Sequence, residues 1–287
     1  MKSSGEQSYQ PLIIIGAARS GTNILRNCLT NISGFSTWPC DEINYIWRHK
    51  NRECPHDQFP ETLARPEVVE YLRAQFDKQA VRDQSRVLVE KTTANTLRVG
   101  FVHKVFPDAK YIFIYRHGLD SVCSAMHRWR ASLDIKYLAQ KAVYVPKSDI
   151  PFYGLKYLKT RIDKLFDNEN SLSTWGPKPK RKLTGELNER AALQWSECVR
   201  CAQEQSAHIP DANKIDLRYE EFVQDPAKTL CVALSSLGIP FNHENVLAAV
   251  NGVHVKSVDK GKNSLDSKQM KQVKTIISTQ LDRLGYI

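Results

Sequence analysis

Residues 11–25, Pro11-Leu-Ile-Ile-Ile-Gly-Ala-Ala-Arg-Ser-Gly-Thr-Asn-Ile-Leu25, decide the fold. Leu12 to Ile15 reads as a buried apolar strand that runs through a Gly-containing turn into the start of a helix. Such a turn presents backbone N–H groups and the positive end of the helix, which is a cradle for a phosphate-type anion. A P-loop for ATP or GTP would continue with Gly-Lys-Ser/Thr, the Lys on the phosphates and the hydroxyl on Mg²⁺. Here Arg19-Ser20-Gly21-Thr22 stands instead, with the cation ahead of Gly21. The stretch reads as a phosphate loop but not as that of a metal-dependent NTPase.

A second block repeats the theme. The strand Val87 to Val89 leads into Glu90-Lys-Thr-Thr-Ala-Asn95, then a helix-like stretch and the turn Phe106-Pro-Asp-Ala109. The buried strand Lys110 to Tyr115 follows, ending in Arg116-His-Gly-Leu-Asp-Ser-Val-Cys-Ser124. An arginine at a strand end offers a planar fork to a phosphate. Ser124 falls in the first turns of the next helix, and Arg128 lies one turn further on the same face. A plain ion pair of Arg116 with Asp120 is the alternative. Two phosphate-type loops at parallel strand ends fit one ligand with two anionic groups, bound outside the carboxyl ends of the strands.

The Gly-x-x-Arg-Ser-Gly-Thr pattern at 16–22 and the strand-Arg-Ser pattern at 116–124 resemble the two phosphate sites of sulfotransferases that use 3′-phosphoadenosine 5′-phosphosulfate (PAPS). The layout is most similar to the tyrosylprotein sulfotransferase type, with Glu42 soon after the first helix and Lys91 just past the second strand. Asn23 departs from that pattern, where a second Thr is common, and so does His117-Gly118. The resemblance implies that Arg19, Ser20, Gly21, Thr22 and Asn23 hold the 5′-phosphosulfate, and that Arg116, Ser124 and Arg128 hold the 3′-phosphate. It further implies that Lys91 and Arg19 neutralise charge on the leaving oxygen. Glu42 is then the base for the acceptor hydroxyl, with Asp41 its rival and His117 and His103 behind. Lys91 paired with Glu90 is the bland alternative. Tyr219, Ser257, Lys260 and Lys262 are further cofactor candidates by position, each with an ordinary packing or basic-loop reading beside it. The leaving group is a stable phosphate, so no metal is required.

Composition bounds the rest. With 287 residues and 41% apolar content, one α/β domain over 1–287 is expected: a P-loop-like parallel sheet flanked by helices on both faces, with a mainly irregular or helical insertion. That insertion, 133–185, is a candidate lid or acceptor-binding region. Leu187, Ala191, Trp195, Val199 and Ala202 recur at helical spacing and read as core, with Trp195 stacking on adenine as the alternative. Lys214 to Leu217 is a strand candidate, Asp225-Pro226 a helix start, and 267–284 an amphipathic helix. No apolar run long enough to span a membrane is present. Seven cysteines without regular spacing and a polar N-terminus point to a cytoplasmic, reducing setting. The formal charge of +10 fits an anionic cofactor and an acceptor that is itself anionic. No nucleic-acid motif accompanies it, so a basic nucleic-acid-binding module ranks below catalysis. A P-loop nucleotide or small-molecule kinase is the other alternative. The expected acceptor is a hydroxyl on a glycan, a glycolipid or a small metabolite.

Overall fold

The computed structural model describes residues 9–130, 143–155, 176–177, 186–253 and 265–287. At its centre lie five parallel strands: β1 (Gln10–Ile15), β2 (Phe35–Ser36), β3 (Val87–Glu90), β4 (Lys110–Tyr115) and β5 (Lys214–Arg218). Their order across the sheet is β2-β3-β1-β4-β5. β1 pairs Ile13 with Glu90 on one side and Ile15 with Phe113 on the other. Strand order therefore reverses around β1, which opens a crevice at its carboxyl end. The apolar runs at 12–15, 87–89 and 110–115 become the three central strands, as continuous burial on both faces requires. The two-residue β2 was not legible, being too short for any periodicity.

Alternation along the strands sorts the side chains into two cores. Ile13, Ile15, Leu88, Tyr111, Phe113 and Tyr115 point to one face. There they meet α2 (Asn44–Trp47), α3 (Pro66–Asp83), α4 (Val99–Val105), α5 (Gly118–Arg130), α6 (Leu187–Ser206) and α10 (Ser267–Arg283). Leu12, Ile14, Val87, Val89, Ile112 and Ile114 point to the other. That face is covered by α1 (Thr22–Thr30), α7 (Tyr219–Gln224), α8 (Pro226–Ser236) and α9 (His243–Ala249). Helices thus flank both faces, as expected.

The helix at 187–206 buries Ala191, Trp195, Val199 and Ala202 along one stripe, with Trp195 packed over Gly118 so closely that a Cβ there would lie 2.9 Å from the ring. Trp195 is therefore a core residue of α6. Cys198 and Cys201 are buried in the same helix as free thiols, and burial raises the pKa of both. Asp225 caps α8 by accepting from the Lys228 N–H at 3.2 Å, with Pro226 at the first helical position. Asp266 and Gln269 form a reciprocal capping box on α10. Among the described residues no helix is long and apolar enough to cross a membrane.

Candidate active site

Three segments begin one residue past the ends of adjacent strands: Gly16 after β1, Arg116 after β4 and Lys91 after β3. In the first, the chain turns so tightly that a Cβ on Gly16 would sit 2.7 Å from Thr22 Cγ2 and 2.8 Å from the Ile114 carbonyl oxygen. Gly21 adopts a φ of 91°, and a Cβ there would strike the Tyr219 ring at 2.2 Å. Between them the Ser20 N–H closes a turn on the Ala17 carbonyl at 3.1 Å, and Arg19 is left-handed at φ 68°. The Ser20 side chain is fully buried, and its hydroxyl has no partner among the described residues. Helix α1 starts at Thr22 without a side-chain cap. Its first N–H groups lack helical partners, so this end of the helix suits an anion. Asn23 is exposed in the same turn.

The second segment meets the first. Arg116, buried, donates from Nη1 to the Arg19 carbonyl at 3.0 Å. Its guanidinium lies over the Tyr219 ring at 4.6 Å, and Nη2 stands 3.7 Å from Asp120 Oδ2. The simple ion pair considered from the sequence is thus present alongside the contact to the loop. Arg19 donates from Nε to Ser124 Oγ at 3.0 Å. Although Arg19 is exposed overall, partial burial lowers its pKa, and the charges of Arg116 and Arg128 lower it further. Two guanidiniums and Ser124 therefore meet beside the first turns of α5, and Arg128, one turn past Ser124, adds its positive charge to this anion-attracting corner. Arg19 reaches into this corner with its side chain while its backbone belongs to the phosphate loop. Tyr219 is buried between Gly21 and Arg116, where it supports both. His117 donates its N–H to Glu220 Oε1 at 2.9 Å and accepts from the Leu119 N–H through Nδ1 at 3.3 Å, which caps α5. His103 lies in α4 beside the Tyr111 ring.

The third segment carries a cation between two carboxylates. Lys91 Nζ lies 3.2 Å from Asp41 Oδ1 and 3.2 Å from Glu42 Oε1. Glu42 Oε1 also accepts from the Thr93 N–H at 3.3 Å and from the Thr93 hydroxyl. The alternative pairing of Lys91 with Glu90 is not what forms. Glu90 turns into the core, where Trp47 Nε1 and Asn95 Nδ2 donate to it at 3.1 and 2.9 Å, and burial pushes its pKa up. Burial would also push the Asp41 carboxyl up, but Lys91 and Arg26 more than offset this and hold it at about 2. Held at that value, Asp41 stays ionised at neutral pH and is a poor base.

Beyond these, Arg98 is fully buried and joins Asn95, Asn44 and Asp57, while Asp57 also pairs with Arg48 at 2.8 Å. None of this network was legible from the sequence, since its members lie on three separate segments, 44–48, 57 and 95–98, that meet only in the fold. The same holds for Arg26 and Thr93. Ser257, Lys260 and Lys262 lie outside the described residues, as does most of 133–185. Its described parts rest on the segment that follows Glu42. Asp149 pairs with His49 at 2.8 Å and with Arg52. Gly176 exchanges two bonds with Asp57, at 3.0 and 3.1 Å. Among the described residues no group of three or more His, Cys, Asp or Glu could hold a metal ion.

Comparison with known proteins matches residues 11–145 and 161–243 to the model described as the sulfotransferase family. A comparison with curated protein sequences finds no significant match. Among solved structures, a sulfotransferase from Mycobacterium avium superposes with a TM-score of 0.55 at 14% identity, over 97% of this chain and 77% of that one. The sulfotransferase domain of an olefin synthase from Synechococcus PCC 7002 gives 0.51 at 17% identity, over 96% and 97%. A sulfotransferase from Alicyclobacillus acidocaldarius gives 0.51 at 16%, over 96% and 94%. At these identities the likeness is one of fold.

Proposed function

The chain belongs to the sulfotransferase family, and from that premise we propose that it transfers a sulfuryl group from PAPS to a hydroxyl acceptor by direct in-line attack. The residues fit such a donor. A buried serine hydroxyl without a partner, an uncapped helix start and two guanidiniums gather at one corner, to which Arg128 adds its charge. Arg116 and Ser124, backed by Arg128, hold the 3′-phosphate. The N–H groups and hydroxyls of Ser20 to Asn23 hold the 5′-phosphosulfate, with Arg19 between the two sites, its backbone in the phosphate loop and its side chain bonded to Ser124. When bound, PAPS supplies the sulfuryl group, its S–O bond to the 5′-phosphate breaking as the acceptor oxygen attacks sulfur.

Lys91 offers its remaining donor to the oxygen on which charge builds, a role worth most in a site that excludes water. Glu42 takes the acceptor proton, and Thr93 and Lys91 orient its carboxylate. A carboxylate is a weak base, yet it suffices when proton transfer trails S–O cleavage. The tyrosylprotein-type layout of the loop, Glu42, Lys91 and the Arg116–Ser124 site supports this division of roles. The acceptor is a hydroxyl of a glycan, a glycolipid or a small metabolite, and the described parts of 133–185, residues 143–155 and 176–177, belong to the region that binds it. The pins from Asp149 to His49 and from Gly176 to Asp57 support that placement, because both reach the segment just after Glu42.

The observation that carries the reading is the Arg116–Arg19 contact, which makes the two phosphate segments one rim. Calorimetric titration tests it. Adenosine 3′,5′-bisphosphate should bind without Mg²⁺, and Mg·ATP should not compete. Binding of Mg·ATP alone would replace this reading with a kinase.

A further inference from the structure

Arg26 has no part in the scheme above, yet it reaches its centre. It sits one turn into α1 and directs Nη1 at Asp41 twice, at 2.8 Å to Oδ1 and 3.1 Å to the backbone carbonyl. Its other edge is anchored, Nε and Nη2 both donating to Asn27 Oδ1 at 3.2 and 2.9 Å. The planar fork therefore has one orientation, and that orientation fixes residue 41 by both side chain and main chain. Asp41 Oδ1 also receives Lys91 Nζ. One carboxylate oxygen thus lies between an arginine of α1 and a lysine at the end of β3.

Two consequences follow from this placement. The Lys91 side chain is only 2% exposed, so its ammonium depends on protein anions for solvation. Asp41 supplies one that stays ionised at neutral pH. In addition, α1 carries the phosphate-loop donors at its first turn, four residues before Arg26. Clamping residue 41 to this helix sets the loop of Glu42 and the head of Lys91 in the same frame as the anion cradle. Transfer reactions are sensitive to errors of about 1 Å between reacting groups.

We propose that Arg26 and Asp41 are positioning residues for sulfuryl transfer, acting through Lys91. The proposal rests on the sulfotransferase reading and adds two residues that do not touch either substrate. A merely structural pair would change stability and leave the chemistry of Lys91 alone, whereas a positioning pair must lose its effect when Lys91 is gone.

The test measures bisphosphate affinity by calorimetry and release of the bisphosphate from PAPS with 4-nitrophenol or water as acceptor. Asp41→Asn and Arg26→Gln should each lower kcat on the order of 10- to 100-fold, with bisphosphate Kd within about twofold. Arg26→Lys, which keeps the charge but not the fork, should recover part of the loss and serves as the conservative variant if Asp41→Asn does not fold. In a Lys91→Ala background Asp41→Asn should have no further effect. Wild-type kcat in Asp41→Asn, or the same loss with and without Lys91, overturns the proposal while leaving the sulfotransferase reading intact. A wild-type protein that neither binds the bisphosphate nor releases it from PAPS overturns both.

Discussion

Arg116 donates to the main-chain carbonyl of Arg19 at 3.0 Å, so the end of β4 is tied directly to the loop after β1. The charge-assisted bond joins segments 97 residues apart in the chain. It makes the relative placement of two anion-binding elements a property of the fold. The same guanidinium rests on Tyr219, which in turn packs on Gly21. Removing any member should therefore be felt at the rim as a whole.

Arg116→Ala tests this first. It takes away the fork and the tie together, and bisphosphate affinity should fall at least about 100-fold by calorimetry. An unchanged Kd would remove Arg116 from the 3′-phosphate site.

Glu42→Gln keeps shape and hydrogen bonding to Thr93 but cannot accept a proton. Bisphosphate affinity should stay at the wild-type value, while turnover drops about 100-fold or more. Full activity in this variant would mean that the acceptor loses its proton elsewhere.

Lys91→Ala should depress turnover more than affinity, because the ammonium acts on charge that builds during transfer. The reverse split, a large rise in Kd with kcat intact, would make Lys91 a ground-state binding group.

Gly21→Ala forces a Cβ into the Tyr219 ring and places it on a left-handed backbone. The expected destabilisation is about 2 kcal/mol or more, read as a melting temperature lower by roughly 4 °C or more. The phosphate loop should distort with it. Wild-type melting and affinity would show that the loop tolerates a different path.

Acid stability reports on Asp41. Its folded pKa of about 2 lies below the ordinary value of 3.8, so the folded protein binds fewer protons there than the unfolded chain. The resulting stabilisation is fully present above about pH 4 and is lost as pH falls toward 2, on the order of 1–2 kcal/mol for a group partly open to solvent. Urea midpoints should drop more steeply across that window in the wild type than in Asp41→Asn. Parallel curves would contradict the assigned charge environment.

Much of this arrangement was legible in residues 11–25 and 110–124, because continuous apolar strands and glycine turns are local events. The strands at 12–15, 87–89, 110–115 and 214–217, the α6 core stripe and the Asp225-Pro226 helix start all form where periodicity and capping chemistry place them. Glu42 and Lys91 do meet at 3.2 Å. What stayed hidden depends on distance through the fold. Arg26 and Asp41 are 15 residues apart, Lys91 and Asp41 are 50 apart, and no spacing rule links them. Glu90 was the alternative partner for Lys91, yet Trp47 and Asn95 draw it inward, which only the tertiary structure reveals.

Asp57 holds Gly176 by main-chain atoms of the glycine alone, through its N–H and its carbonyl. A clasp of that kind ignores side-chain identity on the held strand of chain. The grip therefore holds whatever side chains flank the glycine, and the buried arginines behind Asp57 are unaffected by them. A lineage built on this plan could suit another acceptor by changing the residues beside Gly176, provided Asp149 keeps its ion pairs with His49 and Arg52, and leave the donor machinery untouched.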